Sequence, residues 1–465
     1  MLDRPLRDRL IDIEVAEKDV ARGRALRDTA PRRALAELVP NRRSAIEILV
    51  EQNQNRLPEL VPLRFARMLN DPFSFYRGTA AVMAADLAAS PSSGVMVLCS
   101  GDAHLSNFGV YAAPDRALVF DLNDFDEAAA ASAEWDVKRL ITSAIVGGRH
   151  AGYTEKTIRG IAVEAINAYH RGLAAMLDMN VLDRYYLRVE PERYVQKVSG
   201  SLADVIDRTT RRARKRTSAR VFEHIMEPSS TGAPRLRESP PVLTHLDLDR
   251  EADIVDSVRE YLTGLPADVA LLLSHFQITD VVQRVVGVGS VGTRCYLVIL
   301  TGTDGTPLIL QVKEANRSVL DEYGEVKQPD SLTVAVNALG QGQRVIVGQR
   351  VLQATSDVFL GAHRWAGRDF YVRQFQDMKG TIETDAMSPE AFGQYVSACS
   401  LSLARGHSQS ANASLLHGYV GTGNTVSAAI LEWSYAYADK SLDDFQQLHA
   451  AAKAGDIAVA ENPAR

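Results

Sequence analysis

The segment from Val95 to Asp126 concentrates more oxygen-donor chemistry than any other stretch of the sequence. An apolar run from Val95 to Cys99 leads into a polar loop, and a second apolar run from Ala117 to Phe120 ends in a cluster of carboxylates. This pattern predicts a strand, a loop, a short hairpin and then the acids, so that oxygen-bearing side chains gather at adjacent strand ends. Mg²⁺ prefers such carboxylate and amide oxygens, together with phosphate oxygens. The alternative is that these groups cap turns and satisfy one another.

The polar loop has the wording G-D-x-H-x-x-N from Gly101 to Asn107. This wording resembles the catalytic loop of kinase-like phosphotransferases, most closely that of aminoglycoside and choline phosphotransferases. In protein kinases the loop Asp accepts the proton of the substrate hydroxyl, and the Asn and a later Asp bind Mg²⁺. The resemblance implies that Asp102 is the catalytic acid/base and that Asn107 is a metal ligand. For the later metal ligand, the spacing from Asn107 favours Asp121, which we prefer, whereas the D-F wording favours Asp124.

The residues around this loop carry two further expectations. In aminoglycoside phosphotransferases an Asp in the helix after the metal loop braces the catalytic loop, and Asp136 is the matching position in this sequence. We expect His104 to order the loop by hydrogen bonding rather than to bind a metal. Both residues therefore belong to the support of the site.

A second informative segment covers residues 284–315. Gly287, Gly289 and Gly292 match G-x-G-x-x-G, which in a dinucleotide-binding turn is followed by a helix. Here a β-branched apolar run follows, which predicts strand, glycine turn, strand, turn and a third strand that carries Lys313. This order resembles the glycine-rich loop and β3 lysine of kinases, and it implies that the glycine backbone and Lys313 bind the phosphates of ATP and that Lys313 takes part in catalysis. The alternative is a glycine-rich hairpin with a surface lysine.

Two features depart from the kinase pattern. The kinase helix that follows supplies a Glu to the β3 Lys, but the predicted helix from Val334 to Ala354 contains no Glu, so the partner of Lys313 is unassigned. The catalytic-loop match at 101–126 also precedes the glycine-loop match at 284–375, which reverses the kinase order. If both matches hold, the chain is a circular permutant, which neighbouring surface termini would permit.

These matches predict an α+β, two-lobed kinase-like fold that is circularly permuted, with a mostly helical lobe and a smaller antiparallel β-sheet lobe. Five segments are expected in turn: an N-terminal helical extension, a helical lobe with the catalytic and metal loops, a linker with helices, a glycine-loop β lobe, and C-terminal helices that pack on the helical lobe. Their predicted bounds are 1–66, 67–225, 226–278, 279–385 and 386–465. Within them, Glu227 to Pro241 is expected to be a linker, and the basic run from Arg208 to Arg216 a solvated helix face.

Composition narrows the class of protein. The net charge of −6 argues against a general nucleic-acid binder. The three cysteines, Cys99, Cys295 and Cys399, lie in apolar contexts at no metal spacing, which predicts reduced, buried thiols. The first residues lack the apolar core of a secretory signal, and no apolar run reaches the length of a membrane span. We therefore expect a cytoplasmic protein.

Longer words spread over the chain resemble a bacterial family known as domain of unknown function family 2252. They are P-F-x-F-x-R-G from Pro72, G-D-A-H-L-x-N-F-G from Gly101, N-D-F-D-E from Asn123, W-D-x-K-R from Trp135 and L-A-x-x-H from Leu403. The family name implies no biochemistry, so the function has to be argued from the site itself.

Taken together, these patterns predict an ATP- and Mg²⁺-dependent phosphotransferase that acts on a hydroxyl group of an unidentified small-molecule or protein acceptor. The alternative is a nucleotide-binding pseudokinase with a regulatory role, or an enzyme that transfers AMP. A metal-dependent phosphoesterase is a third hypothesis, which turnover of simple phosphate esters without ATP would identify.

Overall fold

Helices and antiparallel strands alternate in blocks along this chain. The structure is a computed structural model that describes residues 15–194, 201–217, 220, 222, 226–228, 234–375 and 378–460. Its combination of many helices with antiparallel sheets confirms the predicted α+β class.

A block of helices precedes the first strand. It comprises α1 (Val15–Thr29), α2 (Ala45–Asn53), α3 (Val61–Met68), α4 (Pro72–Gly78) and α5 (Ala80–Ala89). Ser44 begins α2 with a capping box, because its side chain accepts from the Glu47 N–H and the Glu47 side chain accepts from its own N–H. Asp71 begins α4 by accepting from the Ser74 N–H.

Two small antiparallel sheets carry the polar loop and the acid cluster. They contain β1 (Met96–Cys99), β2 (Phe108–Ala112), β3 (Leu118–Leu122) and β4 (Ala129–Ser132), with β1 paired to β4 and β2 paired to β3. The polar loop therefore connects β1 to β2, and the acids follow β3. This order of strand, loop, hairpin and acids is the one that the sequence predicts.

Five helices of the described chain follow β4 before the next strand, and the first two of the five bury the most side chains. They are α6 (Glu134–His150), α7 (Glu155–Asp178), α8 (Val181–Tyr186), α9 (Pro191–Tyr194) and α10 (Ser201–Lys215). The basic run lies on α10, where Arg211, Arg212 and Arg214 are exposed and pair with carboxylates. That arrangement is the solvated helix face expected from the sequence.

The segment expected to be a linker is in part a hairpin. β5 (Met226–Pro228) pairs with β6 (Pro234–Leu236), and residues 229–233 lie outside the described part of the chain. Leu236 is buried in an apolar cluster, and its N–H donates to the Asp280 carboxylate over 2.6 Å. The linker prediction is therefore wrong here, because one buried leucine and one backbone bond dock the segment onto the neighbouring sheet.

A six-stranded antiparallel sheet forms the second part of the molecule, in the order β11-β12-β10-β9-β8-β7. Its elements in chain order are β7 (Leu243–His245), α11 (Leu248–Thr263), α12 (Ala267–Leu273), β8 (Phe276–Arg284), β9 (Cys295–Gly302), β10 (Pro307–Glu314), α13 (Val319–Glu322), α14 (Asp330–Leu339), α15 (Gln341–Leu352), β11 (Gly361–Trp365) and β12 (Arg368–Gln374). The glycine segment is the turn between β8 and β9, and Lys313 lies near the end of β10. The predicted strand, glycine turn and strand are confirmed.

The helix predicted from Val334 to Ala354 is two helices that meet at Gly340. This residue has a φ of +80°, and a Cβ there would lie 2.2 Å from the Asp369 carboxylate. The same carboxylate accepts the Gln341 N–H over 2.7 Å and so caps the start of α15. The helix breaks because glycine permits the left-handed turn that this cap requires.

The chain then returns to the first part of the molecule. β13 (Gly380–Thr381) adds to β2, and α16 (Pro389–Ser408), α17 (Ala413–Val420) and α18 (Asn424–Ala454) follow. α16 packs on α7, α18 packs on α6, and α17 packs on α1. The three cysteines are buried and unpaired, as predicted. Among the described residues, no helix combines the length and apolar character needed to cross a membrane.

Candidate active site

The loop between β1 and β2 is held from below by the first turn of α6. The Asp136 carboxylate accepts the N–H of Ser100 over 2.6 Å and the N–H of Gly101 over 3.0 Å. His407 of α16 lies 3.2 Å from the same carboxylate, and Tyr169 bonds the other nitrogen of that imidazole over 2.8 Å. The role of Asp136 as a brace of the loop is therefore confirmed, and three separate helices fix it.

Asp102 lies at the top of this loop beside an arginine. The Arg139 guanidinium donates to its Oδ1 over 2.9 Å, and His104 Nε2 is 3.6 Å from its Oδ2. Burial raises the pKa of Asp102 to about 6 against the opposing effect of Arg139, and the nearby charge of Asp124 adds to the rise. Asp102 is thus a carboxylate at neutral pH that holds a proton more readily than an ordinary one.

Asn107 and Asp124 carry oxygen donors of the kind that Mg²⁺ prefers. The Asn107 side-chain N–H donates to the Asp102 carbonyl over 2.8 Å, and its amide oxygen takes no hydrogen bond within the described part of the chain. Both side chains line the larger of two cavities beside the loop. One carboxylate and one amide oxygen suit a cation that completes its shell with phosphate and water.

Asp121, the preferred metal ligand from the sequence, does not line either cavity. It is 2% exposed, and its carboxylate accepts the N–H groups of Leu122 and Ala354, each over 2.9 Å, with Arg405 3.3 Å away. This carboxylate ties β3 to α16 and to the end of α15. This geometry favours Asp124 over Asp121 as the candidate metal ligand.

Lys313 contacts the acid cluster across the space between the two parts of the molecule. Its Nζ forms an ion pair with Asp126 and lies 3.2 Å from Ser290 Oγ. The other oxygen of Asp126 accepts from the Tyr371 hydroxyl over 2.6 Å. Burial opposes charge on Lys313, but Asp126 and Tyr371 outweigh it and raise the pKa of this lysine. Asp126 thus fills the place that no glutamate of α14 or α15 fills, and the word N-D-F-D-E already contained it.

The glycine turn is pinned to the N-terminal helices. The Gly292 carbonyl accepts the Leu57 N–H over 2.8 Å, and the Gly287 carbonyl accepts from Arg67 over 2.6 Å. Gly287 and Gly292 have positive φ, and a Cβ on Gly292 would lie 3.0 Å from Arg56. Gly287 and Gly289 face the larger and the smaller cavity respectively. Gly287 and Gly292 are needed for the positive φ of the turn, and Gly292 also for its close approach to Arg56.

Two cavities meet between the sheet and the loop. The larger has a volume of about 1170 Å³ and contains Lys313, Asn107 and Asp124 in its walls. The smaller, of about 90 Å³, contains Asp102, Asp124 and Glu127, and burial raises the pKa of this glutamate to about 7. Both cavities are lined by Asp124, Arg77 and Ser290. The candidate base Asp102 therefore lies in a cavity that adjoins a cleft of nucleotide size.

The sheet wall of the larger cavity carries cations that the sequence did not single out. They are Arg284 at the end of β8, Arg373 on β12 and Lys379 after β12. Burial and the Arg373 charge lower the pKa of Lys379 to about 8. No spacing rule connects these three residues, because they lie on β8, on β12 and after β12 and come together only in the folded chain.

Fold and site together define an α+β protein with a cleft that has carboxylates on one wall and an ammonium on the other. The chain belongs to the family described as "Uncharacterized protein conserved in bacteria (DUF2252)", whose model matches residues 56–451. No curated protein and no solved structure matches the chain.

Proposed function

We propose that this protein is an ATP- and Mg²⁺-dependent phosphotransferase of kinase-like, circularly permuted architecture that acts on a hydroxyl group of an unidentified acceptor. The observation that carries the proposal is the ion pair between Lys313 and Asp126. It joins two segments that are 187 residues apart and places a lysine beside the Asp124 carboxylate. Kinase-like transfer requires this meeting of ammonium and metal ligands around one phosphate chain.

The residues divide the chemistry between them. Asn107 and Asp124 are suited to hold Mg²⁺, which when bound neutralises charge on the phosphates. Asp102 accepts the proton of the acceptor hydroxyl. The hydroxyl oxygen bonds to the γ-phosphorus while the bond between the γ-phosphorus and the β-phosphate oxygen breaks, and ADP leaves. The hydrogen bond from Arg139 keeps the Asp102 carboxylate at the wall of the smaller cavity. Most of the rate then comes from positioning.

The brace of the loop supports the kinase-like interpretation. Asp136 bonds the N–H groups of residues 100 and 101, which is the role that the resemblance to aminoglycoside phosphotransferases implies for this position.

The packing of the chain ends supports the permuted order. Arg27 of α1 donates to the Tyr419 carbonyl of α17 over 3.0 Å, and the Ala460 N–H donates to the Pro62 carbonyl over 3.1 Å. The first described helix therefore packs against α17 and the segment after α18 packs against α3, and a chain whose terminal parts lie in one region can be reordered without changing its core.

The experiment is a turnover assay with ATP labelled either on the γ-phosphate or on the adenine, with and without Mg²⁺. The proposal predicts Mg²⁺-dependent transfer of the γ label to water or to an added polyol, with adenine label in ADP. Adenine label on the acceptor would identify AMP transfer instead. Hydrolysis of simple phosphate esters without ATP, unchanged by Lys313→Ala, would overturn the proposal.

A further inference from the structure

The sheet wall of the larger cavity carries three cations that phosphate binding by Lys313 and the glycine turn does not explain. We propose that Arg284, Arg373 and Lys379 form a subsite for a chain of two or three phosphates, which continues from Lys313 along the sheet. The proposal rests on the proposed function and deepens it, because it places the phosphate chain on the strands rather than under the glycine turn.

The strand register brings Arg373 next to Lys313. Gln311 pairs with Arg373 and Lys313 pairs with Tyr371, so these four side chains lie on one face of β10 and β12. The Arg373 guanidinium donates to Gln311 Oε1 over 3.0 Å, which fixes its direction. Lys313, Gln311 and Arg373 all line the larger cavity, so this sheet face is a wall of the cleft.

Arg284 and Lys379 extend the same wall. The Arg284 guanidinium carbon lies 4.3 Å from the centre of the Phe375 ring. This cation–π contact holds the Arg284 side chain against the sheet. Lys379 is half-buried and precedes β13. Within the parts of the chain that the structure describes, none of the three cations forms an ion pair with a carboxylate.

The charges around the cavity are unbalanced although the chain as a whole is acidic. Its walls contain eight Lys and Arg side chains against five Asp and Glu. Two of those acids are engaged elsewhere, since Asp357 accepts the Gln374 and Phe359 N–H groups and Glu383 pairs with Arg212. Burial is the main cause of the lowered pKa of Lys379, and the charges of Arg373, Lys313 and Arg284 add to it. A bound polyanion relieves this repulsion between grouped cations.

The chemistry of the wall selects phosphates over a nucleobase. A base needs apolar faces and a few directed hydrogen bonds, whereas several cations in a row match the repeated charge of a phosphate chain. The glycine turn offers less, because the N–H groups of Val291 and Thr293 bond carbonyls within the turn. The Asp124 carboxylate at the Lys313 end is placed to share Mg²⁺ with the same chain.

The test is isothermal titration of the full chain with inorganic tripolyphosphate, with and without Mg²⁺. We expect Arg373→Gln and Lys379→Gln each to weaken tripolyphosphate binding by about tenfold or more, since each removes a charge-assisted bond. Arg259→Gln, which removes an exposed arginine on α11 outside the cavity, should bind as the natural protein does. The thermal midpoint of each free variant checks folding, and Lys379→Gln decides the matter if Arg373→Gln does not fold.

Equal tripolyphosphate affinity in the natural protein and both cavity variants would overturn the subsite, as would adenosine competing as well as tripolyphosphate. Prebound ATP that blocks tripolyphosphate assigns the subsite to the nucleotide's own chain, and simultaneous binding assigns it to a phosphorylated acceptor; both outcomes support it. If tripolyphosphate binding depends on Arg373 while ATP is never turned over, the subsite stands and the phosphotransferase fails. If ATP turnover needs Asp124 but the binding of ATP and tripolyphosphate does not depend on Arg373 or Lys379, the phosphotransferase stands and the subsite fails.

Discussion

At the scale of single residues, Asp102 shows how burial sets the chemistry of a carboxyl group. Burial and the charge of Asp124 raise its pKa, Arg139 lowers it, and the result is a pKa of about 6. A base works best when its pKa is close to the working pH. Asp102 is therefore ionised at neutral pH and more basic than a solvated aspartate.

The activity should depend on pH through this group. Only the ionised form of Asp102 accepts a proton, and its raised pKa means that acid removes this form below about pH 6. We expect kcat/KM to rise tenfold per pH unit below about 6 and to level off above it. A pH profile of ATP turnover measures this, and a flat profile between about pH 5 and 7 would contradict the assignment.

Substitution of the base should separate chemistry from binding. Asp102→Asn removes the proton acceptor but keeps the size of the side chain, so we expect kcat to fall by about 10²- to 10⁴-fold while ATP affinity changes little. Turnover assays and titration with ATP and Mg²⁺ measure the two effects. Equal loss of both would show that Asp102 serves binding or folding rather than proton transfer.

The two candidate metal aspartates should respond in opposite ways. Asp121→Asn breaks a buried contact with Arg405 and should cost roughly 3 kcal/mol of unfolding free energy. Asp124→Asn should leave the unfolding free energy within about 0.5 kcal/mol and abolish the effect of Mg²⁺ on ATP binding. Chemical denaturation and Mg²⁺ titrations distinguish them, and a Mg²⁺ effect that depends on Asp121 instead would reverse the assignment.

At the scale of elements, the glycine turn combines backbone positions of positive φ with a docking surface. Gly292 has a φ of +88° and lies against the Arg56 side chain, whereas the nearest atom to a Cβ on Gly289 is the Arg77 carbonyl at 3.5 Å. Position 292 needs glycine for both its conformation and its space, whereas position 289 has ordinary van der Waals room.

A pair of alanine variants tests this difference. Gly292→Ala forces a side chain into the left-handed region and should lower the unfolding free energy by roughly 1–2 kcal/mol. Gly289→Ala should change it by less than about 1 kcal/mol, with either sign. Thermal and denaturant unfolding measure both, and equal effects would mean that the turn is not held against Arg56.

The elements also show what a single sequence can and cannot predict. The strand, loop and hairpin around Asp102 and the strands around the glycines follow from local patterns, so they were predictable. The choice between Asp121 and Asp124 was not, because every residue of β3 is buried and no alternation marks the face that meets the cleft. The helix break at Gly340 depends on Asp369, which only the folded sheet brings near.

At the scale of the whole molecule, the ion pair of Lys313 and Asp126 links the six-stranded sheet to the acidic segment between β3 and β4. Sequence patterns suggested that the two segments meet, but not that Asp126 is the partner, because side-chain direction at a strand end depends on long-range packing. Tyr371 and Ser290 complete the contact around Asp126. The subsite on Arg284, Arg373 and Lys379 depends on strand register in the same way.

The pair should show energetic coupling. Lys313→Met leaves a partly buried carboxylate without its cation and should lower the unfolding free energy by roughly 2–3 kcal/mol. Adding Asp126→Asn removes that charge, so the double variant should recover roughly 1–2 kcal/mol. Denaturant unfolding of the four proteins in the cycle measures the coupling, and additive losses would mean that the two groups do not act on each other.

The most direct measurement is the affinity for ATP as a function of Mg²⁺ in the natural protein, in Asp124→Asn and in the double variant Lys313→Met with Asp126→Asn. A matched double variant, Lys156→Met with Asp253→Asn, makes the same charge changes at exposed sites on α7 and α11. The account predicts that the natural protein and the matched control bind ATP with the same Mg²⁺-dependent affinity. In both site variants this affinity should be lower by about a hundredfold or more. Affinity that ignores Mg²⁺, or site variants that bind ATP as the control does, would contradict it.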